Sequence, residues 1–205
     1  MRVVCISDTH ERHEQIALPD GDLLLCAGDV TANGNMIALE RFASWIERQP
    51  HRHKILIAGN HDYCFERNGR SILPPDIHYL QDSGVEIDGL RVWGSPWQPR
   101  FYDWAFNLDR GEPLAKKWAL IPDDTDILIT HGPPFGTLDR TPRGERVGCE
   151  ALAARLEKLR VRLHVFGHIH DGYGVVERDG RISVNACICD ERYIAANAPV
   201  VIDLE

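Results

Sequence analysis

The feature that most constrains this chain is a set of short apolar runs, each followed by glycine, a carboxylate, an amide or an imidazole. The runs occupy residues 3–6, 23–27, 55–58, 127–129 and 163–166. Runs this short and this apolar suit strands covered on both faces. Helix-period stretches lie between them. Leu39, Phe42, Ala43 and Ile46 follow i, i+3, i+4, i+7 spacing, and Cys149, Leu152, Leu156 and Leu159 follow a similar one. Pro113 sits where a third helix, over residues 112–120, would begin. Residues 85–95 and 174–186 read as hairpins turning at Asp88-Gly89 and Asp179-Gly180, and residues 200–204 as a last strand. The pattern predicts a layered α/β sandwich, helices outside and sheets within. With 205 residues and no repeat or linker, the expectation is one domain over residues 1–205.

Charge narrows the function. A net charge of -8 leaves no broad basic surface for duplex nucleic acid. An anionic substrate must then find positive charge placed locally, as a metal centre places it. No stretch approaches the length of a membrane span, and the first residues lack the pattern of a signal peptide. The cysteines, at 5, 26, 64, 149, 187 and 189, form no CxxC pair and read as reduced thiols of a cytoplasmic protein.

The chemistry sits where the strands end. The motifs are Asp8-Thr9-His10, Gly28-Asp29, Gly59-Asn60-His61-Asp62, His131-Gly132 and Gly167-His168-Ile169-His170. In open α/β sheets, ligands bind outside the carboxyl ends of the strands. In extended chain, residues i and i+2 point to one side, so Asp8 with His10, and His168 with His170, are expected to face one cavity. Carboxylate, imidazole and amide oxygen without thiolate suit Mn, Fe, Zn or a related divalent ion better than a structural zinc. Each motif alone is commonly a turn, a cap or a structural pair. Their conjunction, each just after a strand-like run, points to metal.

In this order the motifs resemble the calcineurin-like metallophosphoesterases, and the resemblance spans nearly the whole chain. Gly94-Ser95-Pro96-Trp97-Gln98-Pro99, Trp104-Ala105-Phe106-Asn107-Leu108, His131-Gly132-Pro133-Pro134, Arg146-Val147-Gly148-Cys149 and the segment from His164 to His170 are similar to a class III phosphodiesterase-like group within that family, small proteins first described from brain. The resemblance implies a four-layer α-β-β-α sandwich. It implies two divalent ions, manganese first among Mn, Fe, Zn, Co and Ni. One would be held by Asp8, His10, Asp29 and His170, the other by Asp29, Asn60, His131 and His168. His61 would be a proton donor or phosphate partner, oriented by Asp62, while a metal-bound hydroxide attacks phosphorus. Two departures stand out. Ala32 replaces an aspartate common in the second motif, which is not a ligand in the family. His168 is kept, although some animal members lose it.

The expected substrate is a small phosphodiester, a cyclic nucleotide above all. A phosphomonoesterase or protein phosphatase using the same centre, and a nucleotide-binding module without turnover, are the alternatives. Asn60, His61, Arg143 and Arg146 are the candidate substrate contacts, with Arg140 in the same loop. The aromatic stretch over residues 97–106 reads as packing rather than a base-stacking platform.

Overall fold

The computed structural model describes residues 1–204. In chain order the strands are β1 (Arg2–Ile6), β2 (Leu23–Cys26), β3 (His53–Leu56), β4 (Ile77–Tyr79), β5 (Ser83–Ile87), β6 (Leu90–Ser95), β7 (Gln98–Pro99) and β8 (Asn107–Leu108). They continue with β9 (Ile127–Thr130), β10 (Leu163–Phe166), β11 (Gly174–Arg178), β12 (Arg181–Asn185) and β13 (Val200–Asp203). The α-helices are α1 (Met36–Glu47), α2 (Glu112–Trp118) and α3 (Glu150–Leu156).

One sheet has the order β13-β1-β2-β3-β4, the other β11-β12-β10-β9-β6-β5. Their inner strands run parallel; β13 and the two hairpin ends are antiparallel. Strand alternation then sorts side chains into layers. Val3, Cys5, Leu23, Leu25 and Ile55 meet Ile127, Ile129 and Val165 between the sheets. Val4, Ile6, Leu24 and Leu56 point the other way, onto Leu39, Phe42 and Ile46 of α1. Leu128 points outward from the second sheet, onto Leu114 and Trp118 of α2 and Leu152 and Leu156 of α3. The architecture is the expected four-layer α-β-β-α sandwich.

Local chemistry accounts for the boundaries. Asn35 caps α1, its side chain accepting from the amides of Ile37 and Ala38. Pro113 lies in the first turn of α2, which ends at Trp118, two residues short of the sequence expectation. Both hairpins turn on two left-handed residues, Asp88 and Gly89 in one, Asp179 and Gly180 in the other. β4 was not foreseen, because Ile77-His78-Tyr79 is too short to show a period. All six cysteines are free and buried, and among the described residues no helix is long and apolar enough to cross a membrane.

The sheets meet at the carboxyl ends of their strands. Beyond β1, the Ser7 amide donates to Ala186 and the Ile188 amide donates to Ser7, so residues 186–188 run beside the end of β1. That seam brings the strand-end loops of both sheets together.

Candidate metal centre

The loops after β1, β2, β3, β9 and β10 converge on one cavity. Asp8, His10, Asp29 and His168 all have positive φ, at 52°, 40°, 53° and 67°. Left-handed backbone costs a non-glycine residue about 1–2 kcal/mol. The expectation that Asp8 and His10 share a side through extended chain therefore needs correction. The chain curls left-handed there, and bonds from the Asp8 amide to Gly28 and from the His10 amide to Asp29 hold the curl. Glycine is required where the loops touch. A Cβ on Gly167 would enter the space of Asp8 Oδ2, and one on Gly59 the space of Asp29 Oδ1.

Two groupings of side chains result. Asp8 Oδ1 lies 3.4 Å from His170 Nε2 and 3.8 Å from His10 Nε2. Asp29 Oδ2 lies 3.8 Å from His10 Nε2, 3.4 Å from His131 Nε2 and 4.0 Å from His61 Nε2. The His131 and His168 rings are 5.0 Å apart. Asp29 thus stands between the groupings. The seven residues expected at a dinuclear centre come together, and ligand atoms of Asp29, His131 and His168 fall within 4.8 Å of one another.

The hydrogen bonds show what the cavity fits. The Ala27 carbonyl can only accept, so His131 Nδ1, 2.9 Å away, carries a proton. In a neutral ring, Nε2 is then a bare lone pair. It faces Asn60 Oδ1 at 2.8 Å and Asp29 Oδ2. Three acceptors cannot face each other unless something positive stands between them. His170 repeats the arrangement, with Nδ1 2.8 Å from the Asp190 carbonyl and Nε2 towards Asp8. Asp8 Oδ1 and both ring nitrogens of His10 are buried with no hydrogen-bond partner. Histidines anchored through the far nitrogen, with an unpartnered Asp8 oxygen opposite one of them, fit a divalent cation.

Electrostatics agrees. Burial opposes ionisation of Asp8 and Asp29, but the surrounding histidines outweigh it. Asp8 is held well below the usual carboxylate range, and Asp29 at about 2. Burial also opposes a proton on His131 and His170, yet Asp29 and Asp8 respectively raise them to about 9. A proton thus takes the place of the missing positive charge. His10 and His168 are pushed down by burial to about 4 and about 3, leaving neutral imidazoles.

Other expected site residues are placed differently. His61 reaches the cavity, but Asp62 does not touch its ring. His61 Nδ1 is 2.6 Å from the Ala32 carbonyl, and Trp104 lies against the ring at 4.1 Å between centroids. The fully buried Asp62 carboxylate instead accepts from the amides of Gly59, Val30 and Thr31 and from the Thr31 hydroxyl. It binds two loops together rather than orienting His61, because both of its oxygens are taken by three backbone amides and the Thr31 hydroxyl. Arg146 is paired with the buried Asp139 at 2.7 Å, and Arg143 sits exposed in a turn. Neither lines the pocket of about 380 Å³ beside His168 and His170; Arg100 and Arg110 do, with Phe101, Pro142 and Tyr193. The aromatic stretch divides. Trp97 and Phe106 pack inside, while Phe101 and Tyr102 are exposed.

Two residues at the cavity escaped the sequence reading. Cys187 Sγ lies 3.2 Å from Asp8 Oδ2. Tyr193, at φ 58°, sets its ring 4.6 Å from that of His10. Both follow the last inner strand, where no glycine-flanked polar motif marks them.

Comparison with known proteins places this arrangement. The family model of the calcineurin-like phosphoesterases matches residues 1–172. The human metallophosphoesterase domain-containing protein 1 is 45% identical over 99% of this chain and 71% of its own length. A probable cyclic nucleotide phosphodiesterase of Synechococcus is 29% identical over 74% of this chain and 59% of its own. The solved phosphopantetheinyl hydrolase of Mycobacterium tuberculosis shares the fold, with a TM-score of 0.60 at 15% identity over 94% of this chain and 90% of that one. With its family match over most of its length and a relative of nearly half-identical sequence, the chain belongs to the calcineurin-like phosphoesterase family, whose members hydrolyse phosphate esters with divalent metals.

Proposed function

We propose that the chain is a phosphodiesterase acting on small diesters, cyclic nucleotides among them, with residues 1–205 forming one catalytic domain. The observation that carries the reading is the meeting of His131 Nε2, Asn60 Oδ1 and Asp29 Oδ2, a cluster that calls for positive charge, met by a proton on His131 in the ion-free chain and by a divalent ion that would displace it. Asp8, His10, Asp29 and His170 would hold one ion and Asp29, Asn60, His131 and His168 the other. Oxygen and imidazole donors favour manganese or a similar ion. The chemistry supplied there by bound divalent ions would be Lewis acidity, activating water at neutral pH and offsetting charge on the phosphoryl oxygens.

The chain's own residues do the rest. His61 Nδ1 donates to the Ala32 carbonyl, so the ring would give a proton from Nε2 to the leaving alkoxide only as the imidazolium, which presents Nε2–H towards the cavity and returns to the neutral Nδ1–H form. Trp104 fixes the plane of that ring. The Asn60 amide, beside His61, would also meet a phosphoryl oxygen. The pocket next to His168 and His170 has apolar walls in Phe101, Pro142, Val147 and Tyr193, which suit a flat organic group on the ester. The name of the Synechococcus relative supports a cyclic nucleotide as that ester. Six free cysteines favour a reducing compartment such as the cytoplasm.

The test is metal analysis after reconstitution with manganese, followed by turnover of cyclic nucleotides, linear diesters, monoesters and a phosphopeptide on the same sample. Two ions per chain with diesters turned over fastest is the expected result. Turnover of phosphopeptide alone would make the chain a protein phosphatase, and nucleotide binding without turnover a binding module; either would end the phosphodiesterase reading.

A further inference from the structure

Asp8 divides its two oxygens between different surroundings. Oδ2 accepts the His168 amide at 2.9 Å and lies 3.2 Å from Cys187 Sγ. Oδ1 has no hydrogen-bond partner, though the side chain is fully buried, and it faces His170 Nε2 and His10 Nε2. An ionised oxygen does not rest against another lone pair, so the sulfur must present its S–H. The thiol is held there by its own backbone. The Cys187 amide donates to Asn185 Oδ1 at 3.2 Å, and its carbonyl accepts from Asn197 Nδ2 at 3.0 Å. On either side, the bonds between Ser7 and Ala186, Ser7 and Ile188, and Asp8 and Cys189 tie the segment to the Asp8 loop.

We propose that Cys187 is a positioning residue, whose S–H holds Asp8 Oδ2 so that Oδ1 alone is turned to the ion between His10 and His170. The inference rests on the metal-binding reading of Asp8. Rotation of the carboxylate is otherwise opposed from one side only, by the His168 amide. With both bonds in place Oδ2 is fully engaged, and Oδ1, which meets only the imidazoles of His170 and His10, is the oxygen left for an ion to share with them. Outer partners of this kind set the affinity of a ligand they never share with the ion. The rival arrangement makes the sulfur itself a ligand, since Cys187, Asp8 and His170 offer atoms within 4.8 Å of one another. The bond to Oδ2 argues against it, because that oxygen already engages the thiol.

The experiment compares wild type, Cys187→Ala and Cys187→Ser, titrating metal against a competing chelator and measuring unfolding temperature in excess chelator. Cys187→Ala should weaken affinity for the tighter ion by about 10–100-fold. Cys187→Ser, which keeps an O–H donor, should restore most of it, and the metal-free unfolding temperatures should not track the affinities. Equal affinity in wild type and Cys187→Ala would overturn the proposal. The Co(II) form of the wild type decides the matter even if the alanine variant misfolds. A sulfur-to-cobalt charge-transfer band that Cys187→Ser abolishes would make the thiol a ligand and end the positioning role. Absence of the band, with affinity retained in Cys187→Ser, supports it. A wild-type chain that takes up no metal would overturn the dinuclear reading itself, and this inference with it.

Discussion

The carboxylate of Asp62 holds Thr31 at two points, its amide at 2.9 Å and its hydroxyl at 2.8 Å. The same carboxylate accepts from the amides of Val30 and Gly59. The loop that carries Asp29 is thereby fastened to the loop that carries Asn60 and His61. The link is buried, so removing it strands several amides without water.

Asp62→Ala is therefore expected to lower stability by about 1–3 kcal/mol, the stranded buried donors at about 1–3 kcal/mol each being partly offset by removal of a carboxyl that burial and the neighbouring Asp29 push up to about 6. Asp62→Asn, which keeps one carbonyl oxygen, should lose less. Denaturant unfolding of the metal-free proteins checks both. An alanine variant as stable as wild type would leave the two loops held by something else.

Asp29 stands nearest to both groupings of histidines, with His10 on one side and His131 on the other. Asp29→Ala should lose both ions and nearly all turnover. Asp8→Ala and His170→Ala should retain an ion in the other site, with weaker loss. Removing the shared carboxylate also leaves two cations to repel across the gap. Metal content per chain, measured on each variant beside its rate, decides the order.

Much of this was legible in the sequence because the fold places chemistry at strand ends. The wholly apolar runs gave strands buried on both faces, and the polar residues after them marked the edge where the loops meet. Asp88-Gly89 and Asp179-Gly180 announced their hairpins because two left-handed residues are needed there. Other features had no local signal. The left-handed turns at Asp8, His10 and Asp29 are imposed by bonds to distant loops. Asp62 reads as a partner of its neighbour His61, yet its bonds run to residues 30 and 31. Arg146 reads as a substrate contact from its loop, and only the fold shows the buried Asp139 that pairs with it. Cys187 reaches Asp8 across the seam between the sheets, a sequence separation that no motif spans.

Acid should destabilise the fold partly through His164. Its ring is fully buried between Thr130 and Phe166, and burial pushes it down from 6.5 to about 3. Below pH 6.5 the unfolded chain gains a proton on this residue that the folded chain refuses, so stability falls as pH drops towards 3. His164→Leu removes the site, and Thr130 keeps its bond to Gly132. The variant should show a shallower loss of stability across that window, read from chelator-treated samples unfolded at several pH values. An unchanged slope would mean that His164 is protonated in the folded chain.

Metal uptake should release protons. In the ion-free chain, His131 and His170 are raised to about 9 by Asp29 and Asp8, so both carry a second proton at neutral pH. An ion must displace it. Apparent affinity should therefore rise with pH until about 9 and flatten above. Calorimetric titration with manganese in buffers of different ionisation enthalpy counts the protons released. A count of zero at pH 7 would place the displaced protons elsewhere.

The proton-donor role of His61 can be separated from simple phosphate binding by its dependence on the leaving group. The ring is anchored through Nδ1 to Ala32 and braced by Trp104, and alanine keeps the backbone amide of residue 61 that donates to Asp29 Oδ1 at 2.7 Å. His61→Ala should keep both ions while slowing a poor leaving group, such as the ribose alkoxide of a cyclic nucleotide, by about 10²–10⁴-fold. A nitrophenyl diester departs without help from a proton, and its rate should fall far less. Equal losses on the two substrates would make His61 a phosphate contact. Loss of an ion would make it a ligand, a role its 4.0 Å approach to Asp29 keeps within reach. Measuring both rates and the metal content on one preparation assigns the residue to one of these three roles.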